Sequence, residues 1–394
     1  MVAPKRRLSA WTAFWLLASM VVSFLAGSIA PTPVYALYQA AWGFTPITTT
    51  VVFAVYAVAV LASLLIVGSV SDHVGRRPVL LGALGMQGVA MLVFANAGGV
   101  SALLAARVVQ GLSTGAALGA LGAGMLDLDR AKGTLANSVA PMLGTASGGF
   151  VSGLMVEFLP APTHLIYLAL LTVFALQGVG VLLMSETSTT SPGALASLRP
   201  QLRLPPPLRM PVLNAAPLLI ASWALAGFYG SLGPALVRTL VGAQSPLLGG
   251  LAILAFAGSG ALAVSILRAQ GAQRMIVLGA SALAGGVALS LAALFLDSGA
   301  AFFLGTALAG AGFGAGFQGA IRTIVPLAAA QERAGVLSVI FLISYLAMGL
   351  PAIAAGVRVV FGRGLVNTAW EYGIAVIALA LLALLLAVRR ARRS

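Results

Sequence analysis

The chain is short of the residues on which most metal sites and many enzyme sites depend. Its 394 residues include no cysteine, two histidines and only eight acidic residues. The lack of cysteine excludes disulfide scaffolds, covalent haem attachment and thiolate-ligated zinc or iron–sulfur sites. The two histidines, His73 and His164, lack the close spacing of metal ligands. We therefore expect no metal site, no cofactor and no catalytic residue.

Charged residues of both signs are scarce. They make up 8% of the chain, against 60% hydrophobic residues, whereas soluble domains carry about 25% charged residues. The mean hydropathy is +1.05. A net charge of +14 indicates nucleic-acid binding only where basic residues share a polar face, and this chain offers little polar surface. The composition predicts a polytopic membrane protein, surrounded by membrane lipid and without a nucleic-acid partner.

Long apolar runs make up most of the sequence. A spanning helix needs about 20 mostly apolar residues, and twelve such stretches predict an all-α protein with twelve transmembrane helices. They are 11–37, 46–67, 79–97, 100–126, 135–158, 163–185, 212–236, 246–267, 275–296, 299–326, 334–360 and 367–388. A polar gap divides them six and six, which predicts an N-terminal bundle (11–185), a cytoplasmic linker (186–211) and a C-terminal bundle (212–388). Residues 1–10 form a cytoplasmic N-terminus and residues 389–394 a basic cytoplasmic tail. The two six-span halves suggest duplication.

The basic residues predict the orientation of the chain in the membrane. If the N-terminus is cytoplasmic, seventeen of the 22 lysines and arginines lie in cytoplasmic loops and ends. Cytoplasmic loops of membrane proteins carry such an excess. We therefore expect a multi-pass protein of a bacterial-type inner (plasma) membrane, with both termini in the cytoplasm.

The loop between the second and third spans carries the most specific motif. Residues 68–78 read G-S-V-S-D-H-V-G-R-R-P, in which a glycine permits a tight turn and an aspartate can pair with an arginine. This run resembles the loop signature of the major facilitator superfamily, G-x-x-x-D-x-x-G-R-[RK]-x. The resemblance implies two pseudo-symmetric six-helix bundles and transport by alternating access. It also implies a conformational latch, formed by Gly68, Asp72, Gly75, Arg76, Arg77 and Asp127. The alternative for this loop, above all for Arg77, is a set of solvated positive charges.

Span four opens with a charged residue inside an apolar run. Arg107 and Gln110 stand in the sequence R-V-V-Q-G, which resembles a signature of many proton-coupled members of the superfamily. A charge within a span is costly and usually functional, so we expect both residues on the proton or substrate path. The alternative is that Arg107 extends to the outer interface. Glu157 and Glu371 are further candidates for proton transfer, with interfacial anchoring as their alternative, and Glu186 is expected to be solvated.

Small residues at four-residue spacing predict close helix packing. The candidates are Gly111, Gly115, Gly144, Gly148, Gly149 and Gly153. The run at 144–149 partly matches the efflux signature of the superfamily, which ends G-P-x-x-G-G, but Thr145 replaces the proline. The equivalent of the latch loop in the second half, at 268–274, has lost its aspartate and paired arginines.

In this superfamily spans one, four, seven and ten line a central cavity. Further polar or aromatic candidates for that cavity are Ser28, Thr32, Tyr35, Trp223, Tyr229, Gln318 and Arg322. For Arg322 a vestibule or structural role is favoured over substrate binding. Such an apolar lining suits a lipophilic or zwitterionic small molecule.

These features favour a monomeric secondary transporter that exports a small, fairly apolar molecule in exchange for protons. An uptake permease of the same superfamily is the alternative. A membrane enzyme or receptor is a remote one, because the sequence has no HExxH, GxSxG or Walker motif.

Overall fold

The computed structural model describes residues 7–200, 202–242, 245–329 and 331–391. Residues 1–6 of the predicted N-terminal end and residues 392–394 of the predicted basic tail lie outside these ranges. Twelve helical stretches in the described part are long and apolar enough to cross a membrane, and no strand occurs there. The predicted all-α class and the number of spans are confirmed. Helices suit apolar runs because each satisfies its own backbone hydrogen bonds without water.

Sixteen α-helices follow one another along the described chain. They are α1 (Ala10–Ile29), α2 (Pro31–Trp42), α3 (Pro46–Val67), α4 (Ser71–Val74), α5 (Arg76–Ala95), α6 (Val100–Leu128), α7 (Arg130–Phe158), α8 (Pro162–Leu183), α9 (Ala194–Ser197), α10 (Pro206–Ser231), α11 (Gly233–Val241), α12 (Pro246–Ile266), α13 (Ala272–Phe295), α14 (Gly299–Ile324), α15 (Arg333–Phe361) and α16 (Gly364–Ala391). We call α1–α8 the N-terminal half and α10–α16 the C-terminal half. The linker face is the end of the bundle where α8 ends and α10 begins, and the far face is the opposite end.

Prolines interrupt the first span of each half at a similar place. In the N-terminal half α1 ends at Ile29 and α2 begins with Pro31. In the C-terminal half α10 ends at Ser231, and Pro234 lies in the first turn of α11. Proline lacks the N–H that a continuing helix needs, but it fits the first turn of a new one. The repetition of this device supports an origin of the two halves by duplication.

The segment predicted as the linker (186–211) is partly helical. Helix α10 begins at Pro206 rather than at residue 212, because a proline at the start of a helix leaves no donor unsatisfied. The preceding segment contains α9 and lies on the N-terminal half. The Ser191 amide donates to the His73 carbonyl at 3.0 Å, and the Ser69 hydroxyl donates to the Ser197 carbonyl at 3.2 Å.

Each half has its own apolar core, and four helices form most of the contact between them. One core draws on residues 13–184 and the other on residues 218–387. Between the halves, α3 packs against α15 and α7 packs against α12. These two pairs occupy equivalent positions in the two halves, as expected for pseudo-symmetric bundles.

Glycines bring the helix backbones close together. A Cβ atom at Gly111 would lie 2.6 Å from Ala59 Cβ, and one at Gly115 would lie 2.5 Å from the Val60 carbonyl, so both face α3. Two further glycines, Gly144 and Gly148, pack on α1, while Gly149 and Gly153 pack on α12 across the boundary between the halves. Such contacts leave no room for a side chain.

We expect Gly148→Ala to lower the apparent melting temperature of the purified protein, because the new methyl group would meet the backbone of Ala26. Overpacking of this kind costs roughly 1–3 kcal/mol. Gly178→Ala is the matched control, since a Cβ at that helical position meets nothing within 4 Å. Equal melting temperatures for the two variants would contradict the assigned packing.

Candidate functional site

The predicted latch residues come together at the linker face. The Arg76 guanidinium lies 2.5 Å from an Asp72 carboxylate oxygen and 3.3 Å from an Asp127 oxygen. It also donates to the Ser71 hydroxyl at 2.7 Å. The Arg76 side chain is only 7% exposed, whereas that of Asp72 is 56% exposed. A buried arginine therefore joins the loop after α3 to the end of α6.

Glycines shape this loop. Gly75 has φ = 97°, a conformation that favours glycine, and it links α4 to α5. A Cβ atom there would lie 2.7 Å from a Glu186 carboxylate oxygen. Gly68, at the end of α3, is held close to α6, because a Cβ at Gly119 would lie 2.6 Å from the Gly68 carbonyl oxygen.

Glu186 is a member of this site that sequence reasoning missed. Its carboxylate accepts hydrogen bonds from the Arg76 and Arg77 amides at 2.8 and 3.1 Å, at the N-terminus of α5, where a negative charge is stabilised. The Arg77 side chain donates to the Val181 and Leu182 carbonyls at the end of α8. The start of α5 and the end of α8 with the residues that follow it are thus joined by hydrogen bonds in both directions. The only signal in the sequence is a lone acidic residue directly after span six.

The charge of Glu186 is stabilised locally. Burial raises the pKa of its carboxyl, but four backbone N–H donors outweigh burial, so the pKa lies below the ordinary value for glutamate. The donors are Arg76, Arg77, Ser188 and Thr187. Because the pKa is lowered in the folded state, this stabilisation is present above the unfolded pKa of about 4.3 and is lost as the pH falls through the folded pKa.

We expect Glu186→Gln to be less stable than the wild type near pH 7 and to approach it as the pH falls below about 4. The glutamine keeps the shape of the side chain but lacks the charge that attracts the N–H donors. The measurement is the apparent melting temperature of both proteins across this range. A difference that does not change with pH would mean that the charge of Glu186 contributes nothing.

The C-terminal half holds its corresponding loop in a different way. The Arg322 side chain, near the end of α14, donates to the carbonyl oxygens of Arg268 and Gln270 at 2.9 and 3.4 Å. In the N-terminal half a carboxylate of α6 accepts from a loop arginine. In the C-terminal half an arginine of α14 donates to the loop backbone. The loss of loop charges in the second copy is thus matched by a donor on the facing helix.

Arg107 lies inside the N-terminal half and is fully buried, with 0% exposure. Its guanidinium donates to the Tyr35 hydroxyl at 2.6 and 3.0 Å, to the Ser28 carbonyl at 2.6 Å and to Gln110 Oε1 at 2.7 Å. It does not extend to the interface, because these acceptors hold it in the bundle. Gln110 in turn donates to the Gly27 carbonyl at 2.9 Å.

Aromatic rings rather than acids surround the Arg107 charge. The guanidinium carbon lies 5.3–5.7 Å from the ring centres of Tyr35, Tyr56 and Phe94, close enough for cation–π attraction. Within the described ranges no carboxylate forms a salt bridge with Arg107. A buried cation compensated by dipoles and ring faces alone is costly.

A second residue beside Arg107 was not predicted. Gln87 on α5 is 0% exposed, and neither atom of its side-chain amide has a hydrogen-bond partner. A Cβ at Gly27 would lie 3.3 Å from Gln87 Nε2 and 3.8 Å from Gln110 Nε2. The two amides therefore flank the same glycine of α1. A glutamine in an apolar span is the only sequence signal for it.

Apart from Arg322, which lies near the end of α14, the cavity candidates lie in the interior, and several of them bond within the protein. The Thr32 hydroxyl donates to the Gly230 carbonyl at 2.9 Å, and the Tyr229 and Thr306 hydroxyls are 2.7 Å apart. Gln318 is 9% exposed. The buried indole nitrogen of Trp223 has no hydrogen-bond partner. Tyr35 and Ser28 belong to the surroundings of Arg107.

Both candidate glutamates lie at the far face with exposed side chains. Glu371 forms a two-point ion pair with Arg358, at 2.5 and 2.9 Å. Glu157 accepts from the Ser245 hydroxyl at 2.8 Å and from the Leu247 amide at 3.4 Å. Within the described residues no group of three or more acidic or histidine side chains is arranged to hold a metal ion.

Hydrogen bonds between the two halves are confined to one end of the described bundle. Three occur there: that of Thr32 to Gly230 and the two accepted by Glu157. All lie toward the far face, where Gly356 of α15 also meets Thr50 of α3. Polar contacts between the halves in the described chain therefore lie toward the far face, whereas apolar clusters also join the halves toward the linker face.

Comparison with known proteins agrees with this architecture. The sequence model of the Major Facilitator Superfamily matches residues 15–352. The fold is similar to that of a mutant of the nucleoside transporter NupG, with 12% identity, a TM-score of 0.67 and coverage of 96% of this chain and 98% of that one. It is also similar to the human organic anion transporter MFSD10 (TETRAN), with 16% identity, a TM-score of 0.69 and coverage of 97% and 100%. No curated protein sequence matches the chain. The extent of the family match, over most of the chain, means that this protein belongs to the Major Facilitator Superfamily.

Proposed function

We propose that this protein is a proton-coupled secondary transporter that exports small, fairly apolar molecules by alternating access. The observation that carries the proposal is Arg107, a fully buried cation that no carboxylate in the described part of the chain neutralises. Such a charge is sensitive to any further charge that enters the bundle, whether on a proton or on a substrate. It supplies a physical basis for linking substrate movement to proton movement.

The surface between the halves favours an apolar substrate. Trp223 has its ring centre 5.3 Å from that of Phe317 and 5.1 Å from that of Tyr345. Trp223 packs against an apolar cluster that both halves supply, including Tyr56 and Val60 of α3. Aromatic surfaces of this kind bind flat apolar molecules, and the free indole N–H adds one hydrogen-bond donor.

The orientation in the membrane is part of the proposal. The linker face carries most of the basic side chains of the described chain, among them Arg76, Arg130, Arg209, Arg274 and Arg333. The excess of basic residues supports a cytoplasmic linker face and cytoplasmic termini in a bacterial-type inner membrane. In that orientation the far face, where the hydrogen bonds between the halves lie, is the outer one. We further propose that it acts as a monomer.

Uptake remains the second candidate, since Thr145 stands where the efflux signature has proline. The similar folds include a protein described as a nucleoside transporter. Both functions share the same latch and interior, and they differ in the direction of proton movement. Export by antiport moves protons against the substrate, whereas symport moves them with it.

The test is transport by the purified protein in proteoliposomes with an imposed pH gradient. A compound is first selected by its ability to raise the apparent melting temperature, as binding to the folded state must do. We expect addition of this compound to one side to move protons in the opposite direction, as reported by a pH dye in the lumen. Accumulation that ignores the gradient would contradict proton coupling, and protons moving with the compound would favour uptake.

A further inference from the structure

Glu157 provides most of the polar contact between the two halves at the far face. Of the three hydrogen bonds that join the halves in the described chain, two end on its carboxylate. Glu157 lies in the last turn of α7 in the N-terminal half, and its donors, Ser245 and Leu247, belong to the start of α12 in the C-terminal half. A single side chain therefore connects the ends of two helices from different halves.

The charge of Glu157 suits this position. The first amides of a helix have no partner within the helix, and the helix dipole favours a negative charge beside them. A carboxylate also forms stronger hydrogen bonds than a neutral acceptor does. The other far-face glutamate, Glu371, has its partner Arg358 within its own half. In the described chain Glu157 is thus the charged side chain that spans the boundary.

Close packing of α7 on α12 lies directly beside this contact. Gly149 and Gly153 bring the two helices together further along α7, where a Cβ at Gly153 would lie 3.2 Å from Gly250 Cα. For the far face to open, the ends of α7 and α12 at Glu157 must separate. A hydrogen bond at that end opposes the opening of the far face and breaks when it opens.

We propose that Glu157 is a clasp that holds the far face closed and releases α12 when that face opens. In this role Glu157 is a positioning residue rather than a group on the proton or substrate path. Its effect is on the balance between two conformations, which goes beyond the proposed direction and coupling of transport.

The absence of cysteine from the chain allows a direct test. Thr50→Cys places a reporter at a residue with 0% exposure, on the other pair of contacting helices, where Thr50 meets Gly356 of α15. A maleimide applied to the purified protein in detergent labels this cysteine only when the far face opens. We expect Glu157→Ala to increase the labelling rate roughly fivefold, as loss of about 1 kcal/mol at an exposed site would. Glu157→Gln is expected to give a smaller increase.

Two controls separate the clasp from general loosening of the fold. Glu371→Ala removes the other far-face glutamate and should leave the labelling of the reporter unchanged. Ser113→Cys, a 0% exposed position inside the N-terminal half, should stay unlabelled in the Glu157→Ala background. Ser245→Ala should add little to Glu157→Ala, because the two changes remove the same bond.

An unchanged labelling rate in Glu157→Ala would overturn the proposal. So would an equal increase in Glu371→Ala, or labelling of the Ser113→Cys reporter at the same rate as the Thr50→Cys reporter. The assay needs neither substrate nor proton gradient, so its outcome is independent of whether transport is proton-coupled.

Discussion

Arg107→Ala is expected to lower gradient-driven transport at least about tenfold, which corresponds to ~1.4 kcal/mol. The alanine removes the donor to Tyr35, Gln110 and the Ser28 carbonyl together. An acceptor left unpaired in a buried site costs roughly 1–3 kcal/mol, although polar contacts within membrane proteins average nearer 0.6 kcal/mol. The loss of the charge itself is expected to matter more, because in the described part of the chain Arg107 is the cation that bonds these groups.

The Arg107→Lys variant separates the effect of the positive charge on transport from the effect of the hydrogen-bond geometry. Lysine keeps the positive charge, but it cannot donate in the planar fork that now serves Tyr35, Ser28 and Gln110. We expect partial recovery of gradient-driven transport in this variant. If charge is irrelevant and only the hydrogen bonds matter, the lysine variant should transport no better than the alanine variant.

The measurement compares two modes of transport in proteoliposomes. Net transport driven by a pH gradient requires coupling, whereas exchange of labelled for unlabelled substrate at equal pH does not. We expect Arg107→Ala to reduce gradient-driven transport more than it reduces exchange at equal pH. Arg274→Ala, which removes an exposed arginine of the linker face, is the control. Full gradient-driven transport in Arg107→Ala would contradict a role of this residue in coupling.

The sequence predicts the helices of this protein well because the membrane makes strong local demands. Each apolar run must form a helix wherever it crosses the lipid, so the number of spans follows from hydropathy alone. Proline positions were harder to interpret. The cluster at 205–207 lies within the predicted linker, whereas Pro206 begins α10, since the same residue that ends one helix suits the first turn of another.

The site could be predicted only in part, because its contacts join residues that are distant in the sequence. Arg76 and Asp72 lie four residues apart, and their pairing follows from local spacing. The bond that the Arg76 amide donates to Glu186 spans 110 residues, and no local pattern indicates it. For Arg107, composition allowed either burial or extension to the interface. Arg107 is held inside the bundle by the Tyr35 hydroxyl, which lies on the interrupted first span. The position of Tyr35 depends on tertiary packing.

The latch residues should be as sensitive as Arg107, although they lie at the linker face. We expect Asp72→Asn to lower transport about tenfold or more (~1.4 kcal/mol) while leaving the protein folded. Asparagine has nearly the same shape as aspartate but carries no charge, so it forms a much weaker contact with Arg76. Arg76 is then left with Asp127 as its one charged partner in the described chain, and its 7% exposed side chain cannot regain the lost interaction from water.

Asp129→Asn is the matched control for this experiment. Asp129 lies on the same face, caps α7 by accepting from the Lys132 amide at 3.0 Å, and is not bonded to the latch. Asparagine caps helices about as well as aspartate, so transport should stay near the wild-type rate. The two variants make the same chemical change within sixty residues of each other, and only one of them touches Arg76. Because any general effect of removing a negative charge from the linker face acts on both, a selective loss in Asp72→Asn isolates the ion pair, and equal activities would show that the pair has no part in the transport cycle.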